Sequence, residues 1–309
     1  MSAITEKRAV DFVLGIIVLF NMSMALCERI NSADCGTSEA TLGRILHGKK
    51  GDKAQIPWIV QLEIIYRWNE TALLSILCGG SILSPSYILT AAHCVHYLNT
   101  LPFLGRVFYN TTEVNKGPSV WIEDMIHHPG FQWTTILNDI ALVKVERPLD
   151  FDDHVRPICL PPKMLHLDGQ LAMVAGWGLT EENGTRSNCL MYALTRIMPF
   201  RQCHMGFILP GQKEVLNENN TMCTLTPGKG SCQGDSGGPL TVRSRNGRSI
   251  QVGIVSYGRG CGRRYDPSMY TRVHCHVRWI ENQMKRPRPP RWSVPKVLER
   301  INEYFSTFG

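Results

Sequence analysis

Between about residues 45 and 278 the chain consists of short β-branched runs broken by glycine, proline and asparagine. Residues 58–62, 86–90, 140–145 and 251–255 are examples. Such runs have strand chemistry and are bounded by turn residues. Many short strands with no long helical pattern predict an all-β sandwich or barrel architecture. At 309 residues there is room for two modest domains or one large one. The chain is 43% hydrophobic and 19% charged, which excludes a largely disordered polymer. Beyond the N-terminal region no apolar run approaches the ~18 residues of a membrane span. No internal repeat is visible in the sequence.

The N-terminus speaks to compartment. Lys7 and Arg8 precede nine apolar residues, 12–20, and small residues follow. This pattern suits a secretory signal cleaved after Ala25 or after Cys27. The alternative is a signal-anchor helix kept in a membrane; the apolar stretch is short and Asn21 follows it, which favours export. Eleven cysteines are present, so removal of residues 1–27 leaves ten, enough for five bridges in an oxidising compartment. Sequons at Asn69, Asn110, Asn183 and Asn219 agree with that route. Residues 28–44 are polar and read as a short pro-segment. Residues 285–309 read as a basic, Pro-rich tail, with a stiff segment at 287–291 and a short helix capped by Ser293. That tail is either a solvated end or an arm for anionic surfaces. The net charge of +7 favours anionic surfaces weakly and does not point to nucleic acid.

The chemistry concentrates in three stretches. Residues 234–239 read Gly-Asp-Ser-Gly-Gly-Pro, with Ser236 held between glycines that let the backbone turn sharply. A serine hydroxyl is a poor nucleophile until a base takes its proton. His93, in the run 89–94, titrates near neutrality and can take and return that proton. The imidazole needs a carboxylate to fix its tautomer. Asp139 enters the strongly apolar run 140–143, where an unpartnered acid is costly. The amides of Gly234 and Ser236 can point at a developing oxyanion.

These stretches resemble the trypsin/chymotrypsin family of serine endopeptidases. The resemblance covers about residues 35–284 and includes Pro57-Trp58, Cys78-Gly79-Gly80-Ser81, Gly176-Trp177-Gly178, Ser256-Tyr257-Gly258 and Trp279-Ile280. It implies two antiparallel Greek-key β-barrels with a C-terminal helix, over residues 45–284, and a site between the barrels. It also implies roles: Ser236 as nucleophile, His93 as general base and then acid, Asp139 as its orienter, Gly234 and Ser236 as oxyanion donors, and Ser256 as support for Asp139. In the same way, Arg44-Ile45-Leu46-His47-Gly48 resembles an activation site. Cleavage after Arg44 would free the Ile45 ammonium, with Asp235 as counter-ion. The family usually has a small residue where His47 stands. The resemblance pairs Cys78 with Cys94, Cys203 with Cys223, Cys232 with Cys261, and Cys35 with Cys159; Cys189 and Cys275 remain, and their pairing stays open.

Substrate preference follows from the same alignment. Trypsin-like members place an acid six residues before the nucleophile; here that residue is Gly230, followed by Ser231. With Gly258 and Ser268 as walls, the pocket is uncharged and suits a large apolar or aromatic side chain. Asp266 is expected to face away from the floor. Arg259, Arg263 and Arg264 are candidates for a basic rim. Expected partners are protein or peptide substrates, an activating protease and protein inhibitors. No cofactor and no metal site is expected: His127, His128, His274 and His276 lack companion ligands at metal spacing. The competing class is a protease-like binding protein without turnover, which would ordinarily lack one of His93, Asp139 and Ser236.

Overall fold

The computed structural model describes residues 30–38, 49–67, 72–97, 102–207 and 216–287. The activation sequence Arg44-Ile45, the signal region and residues 288–309 of the tail lie outside the described residues. Six strands form a closed antiparallel barrel: β2 (Ile59–Arg67), β3 (Leu73–Ser84), β4 (Tyr87–Thr90), β5 (Pro102–Phe108), β6 (Ser119–His127) and β7 (Ala141–Val145). The spatial order is β2-β3-β4-β7-β6-β5, with β5 returning to pair with β2. That return beside the first strand makes the connection a Greek key.

The second sheet contains β1 (Lys49–Lys50), β8 (Leu171–Gly176), β9 (Met191–Arg196), β10 (Thr221–Thr224), β11 (Pro239–Arg243), β12 (Ser249–Gly258) and β13 (Ser268–Arg272). Its order is β1-β9-β8-β11-β12-β13-β10. An isolated bridge between Ile197 and Thr224 joins the end of β9 to β10, so β8–β13 curl into a second barrel. The two barrels share one connectivity, strand for strand. The first is closed, which removes its sheet edges, and the isolated bridge brings the ends of the second together.

Burial explains why these runs become strands. Trp58, Leu62, Ile64, Ile82, Leu89, Ile122 and Leu142 fill the first barrel, each at most 1% exposed. Val174, Met222, Leu240, Val252 and Tyr270 fill the second. Each such aliphatic side chain contributes on the order of 2 kcal/mol of burial free energy. Trp58, read from sequence as part of a strand, lies in the turn before β2 and is wholly buried. Helices are few: α1 (Ala92–Val95), α2 (Phe200–Phe207) and, after a 3-10 turn at Val273–His276, the C-terminal α3 (Val277–Lys285). No helix among the described residues is long and apolar enough to cross a membrane.

Between the barrels the contacts turn polar. Ser81 Oγ donates to Gln251 Oε1 at 2.5 Å across the interface. Thr271 Oγ1 on β13 donates to the Asp139 carbonyl at 2.8 Å, and Asn138 and Asn220 exchange hydrogen bonds of 2.9 and 2.6 Å. A segment ahead of the first barrel, residues 30–38, is docked rather than loose. Cys35 is bonded to Cys159, and Asn31 makes reciprocal bonds with the backbone of Leu160 at 3.0 and 2.8 Å. Gly36 donates to the Pro157 carbonyl, and Ser249 donates to Gly36, both at 2.8 Å.

Candidate active site

His93 follows β4 through Ala91, which is extended (φ −85°, ψ 149°), and sits in the single turn α1. Ala91 and Ala92 are fully buried, so no bulk separates this turn from the barrel. Cys94 pins it to β3 through a bond to Cys78, and Tyr66 Oη donates to the Cys94 carbonyl at 2.7 Å. Burial of Tyr66 pushes its phenol well above the ordinary value.

Asp139 is fully buried at the entry to β7. Asn138, before it, adopts φ +54°, a left-handed conformation that asparagine tolerates. The carboxylate meets the imidazole twice. Oδ1 accepts the His93 backbone N–H at 2.9 Å, and Oδ2 lies 2.8 Å from His93 Nδ1. Ser256, at an irregularity in the β12–β13 register, donates its hydroxyl to Oδ2. A carboxylate accepts only, so Nδ1 carries the ring proton and Nε2 keeps its lone pair. Burial pushes the two groups toward neutrality, but their mutual charge and hydrogen bonds outweigh it. Asp139 is held below the ordinary carboxylate value and His93 above the ordinary imidazole value.

Ser236 stands on a tight turn from the second barrel. Asp235 N–H donates to Cys232 O at 3.0 Å, and Gly238 N–H to Asp235 O at 2.9 Å. Gly237 has φ +78°, and any Cβ there would drive into Thr90 and the Gly79 carbonyl. Only glycine lets this turn press against the segment that leads to His93. The turn is tied to the first barrel where Gly79 N–H donates to Ser236 O at 2.7 Å. Among the described residues, the N–H groups of Gly234 and Ser236 donate to no protein acceptor, whereas those of Asp235, Gly237 and Gly238 do. Two uncommitted amides on either side of Asp235 are available to an oxyanion.

Asp235 points away from Ser236 into the second barrel. Its Oδ1 accepts Gly178 N–H at 2.8 Å and its Oδ2 accepts Cys232 N–H at 2.9 Å. A Cβ on Gly178 would come within 2.7 Å of that carboxylate, so the glycine makes room for it. Burial pushes the Asp235 pKa up to about 6, against the pull of the two amides and the charge of Arg186. Beside it lies a cavity of about 370 Å³, lined by Ala175, Gly176, Met191, Tyr192 and Gly230 among others.

Gly230, Ser231, Gly258 and Ser268 converge near the base of β12 and β13, with Ser231 and Ser268 buried. A Cβ on Gly230 would lie 2.8 Å from Ser268 Oγ. Tyr270 presents its buried hydroxyl to Thr224, Ser231 and Ser268. Asp266 pairs with Arg263 at 3.2 Å, and Arg263 is also clamped to Glu182 at 2.7 Å. Arg264 lies over the Tyr265 ring, 5.5 Å from its centroid.

The structure bonds Cys35 to Cys159, Cys78 to Cys94, Cys203 to Cys223 and Cys232 to Cys261. Cys189 and Cys275, whose pairing the sequence leaves open, do not pair; Cys275 is exposed and both are free. Cys189 sits at a bridge to Glu113 and Cys275 in the 3-10 turn before α3. Cys78, His93 and Cys94 offer ligand atoms within 4.8 Å of one another, but both sulfurs are locked in a disulfide and cannot serve as thiolates. Trp133 escaped the sequence reading. Its Nε1 donates to His96 O at 2.8 Å and its ring stands edge-on to His93.

A family model for trypsin matches residues 45–280. Over 266 residues the chain is 31% identical to the proclotting enzyme of Tachypleus tridentatus, covering 81% of this chain and 68% of that protein. It is 34% identical over 245 residues to the serine proteinase stubble of Drosophila melanogaster, covering 77% of this chain and 30% of that protein. The chain belongs to the trypsin family, and its class is that of the serine-type endopeptidases.

Proposed function

We propose that this chain is a secreted endopeptidase made as a zymogen, activated by cleavage after Arg44, which hydrolyses peptide bonds through an acyl-enzyme at Ser236. The observation that carries the reading is the Asp139–His93 pair, with one carboxylate gripping both the backbone and the ring of a single histidine. Nδ1–H held by Asp139 leaves Nε2 free to take the Ser236 proton. Oxygen attack on the scissile carbonyl forms a tetrahedral oxyanion, which the Gly234 and Ser236 amides receive. His93 then returns the proton to the leaving amine. Water repeats the sequence to release the acyl group.

Activation has its own support. β1 pairs with β9 through Lys49–Tyr192 and Lys50–Met191, and both partners line the cavity beside Asp235. Ile45 is four residues upstream of Lys49, a reach of roughly 13 Å for an extended chain. A new ammonium at Ile45 can therefore reach the cavity and neutralise Asp235. Residues 28–44 serve as the pro-segment and residues 1–27 as the signal. The exposed asparagines at Asn183 and Asn219 suit glycosylation on a secretory route.

The pocket formed by Gly230, Ser231, Gly258 and Ser268 takes an uncharged side chain before the scissile bond. Hydroxyls, not a carboxylate, face its floor. Cleavage profiling of the activated protein tests this, and dominance of Lys or Arg before the cut overturns it. Labelling by a fluorophosphonate, abolished in Ser236→Ala, tests the chemistry. Substitution of Ser236 lowers kcat by at least about a thousandfold. An unlabelled but correctly cleaved protein would instead favour the binding-protein reading.

A further inference from the structure

We propose that Arg186 selects substrates that carry a carboxylate on the residues following the scissile bond. This rests on the reading of Gly234 as an oxyanion donor. Arg186 is exposed, and its backbone bridges to Leu179 just beyond Gly178. Its side chain turns back over the nucleophile turn. Nη2 lies 3.0 Å and Cζ 3.3 Å from the position that a Cβ on Gly234 would occupy.

Three observations make this cation a recognition element. First, among the described residues no carboxylate ion-pairs with the Arg186 guanidinium and no side chain hydrogen-bonds to it. Second, two acids on the neighbouring loops, Glu182 and Asp266, are both clamped by Arg263. The basic rim expected from sequence is therefore redistributed. Arg263 is neutralised, Arg264 covers Tyr265, and Arg259 has a partner of its own. Third, Arg186 acts on Asp235 through space, so its charge reaches into the turn.

The direction of the preference follows from place. The residue before the cut enters the pocket of Gly230, Ser231, Gly258 and Ser268. Arg186 is not among the neighbours of Gly230 or Gly258; its guanidinium stands over Gly234, beside the amide that would hold the scissile carbonyl. A scissile carbonyl held by the Gly234 amide lies well inside a Debye length of the guanidinium. A carboxylate on the first or second leaving-group residue can meet the planar donor fork of arginine, which matches carboxylates in a bidentate manner.

The test uses the full chain cleaved after Arg44, with active sites counted by fluorophosphonate titration. Matched peptides carry Asp or Glu, against Asn or Gln, at the first and second positions after the cut. Wild type is compared with Arg186→Gln and Arg186→Lys. The wild-type ratio of kcat/KM for acid over amide is about fivefold at low salt and shrinks as salt is raised. In Arg186→Gln the ratio falls to one, and Arg186→Lys retains most of it. An acid-to-amide ratio that is equal in wild type and Arg186→Gln overturns the proposal, as does a preference confined to the residue before the cut. Protein that fails to bind the fluorophosphonate overturns the catalytic reading itself, and this inference with it.

Discussion

Asp139 divides its two oxygens between fixing a backbone and fixing a proton. Oδ1 holds the His93 amide, while Oδ2 receives the ring N–H and the Ser256 hydroxyl. The result is a histidine whose pKa is raised above 6.5. Because Nε2 must be unprotonated to act as base, kcat/KM rises with pH through that raised pKa and is lost below it. The acidic limb of the profile therefore has its midpoint above 6.5, and a midpoint below that value contradicts the ion-pair account. Ser256→Ala removes one donor from a buried anion. Hydrogen bonds to charged groups are worth roughly 1.5–3 kcal/mol, so urea denaturation registers a loss of about 2 kcal/mol. Asp235 has the opposite sign. Its pKa is raised from 3.8 to about 6, so ionisation opposes folding above that value. In the uncleaved chain stability rises as pH falls from above 6 toward 4, on the order of 3 kcal/mol from this group at 1.36 kcal/mol per pKa unit. On the proposed activation, cleavage after Arg44 supplies the carboxylate with an ammonium partner and is expected to abolish that gain. Denaturation midpoints of both forms between pH 4 and 7 check the difference.

At the scale of elements, the site is built from turns that strands hold in place. The turn bearing Ser236 was legible in the sequence because glycines flank the serine within a few residues. The His93 and Asp139 stretches were legible for the same reason, since a small turn and an apolar strand announce themselves locally. What stayed hidden spans distance. Asn31 bonds to Leu160 across 129 positions, and Arg186 meets Gly234 only because the Leu179–Arg186 bridge folds back. No local period encodes either contact. The docking of residues 30–38 gives a prediction. On a non-reducing gel, the chain cleaved after Arg44 migrates as one species, and reduction releases a short light chain. The double variant Cys35→Ser/Cys159→Ser loses about 2–4 kcal/mol of stability and sheds that segment more readily after cleavage, since only the Asn31, Gly36 and Thr37 bonds remain. Retention of the light chain by the double variant under mild conditions, with unchanged stability, would show that the hydrogen bonds suffice.

The whole molecule repeats one connectivity twice without repeating a sequence. A barrel interior asks for apolar side chains of adequate volume, not for particular ones, so the duplication leaves no readable period. What differs between the halves is what each lends the cleft. The first barrel supplies His93 and Asp139, and the second supplies Ser236, Ser256 and the pocket. On the proposed reading, the floor of the pocket is where the fold would set preference. Gly230 and Ser268 are a matched pair, since a Cβ at Gly230 would sit 2.8 Å from Ser268 Oγ. An acid at position 230 must adopt φ +157°, which L residues rarely do, meets that hydroxyl and is left buried without a cation. Gly230→Asp alone therefore weakens cleavage after apolar residues and gains little after arginine. Adding Ser268→Gly opens space for the carboxylate to face the pocket, where the guanidinium of a substrate can neutralise it. The double variant shifts cleavage toward Lys and Arg by at least about tenfold in kcat/KM over Gly230→Asp, the worth of one charge-assisted hydrogen bond. Peptide-library profiles of wild type, single and double variants decide the matter. If the single variant already cleaves after arginine as well as the double does, Ser268 does not gate the floor and the matched-pair account is wrong.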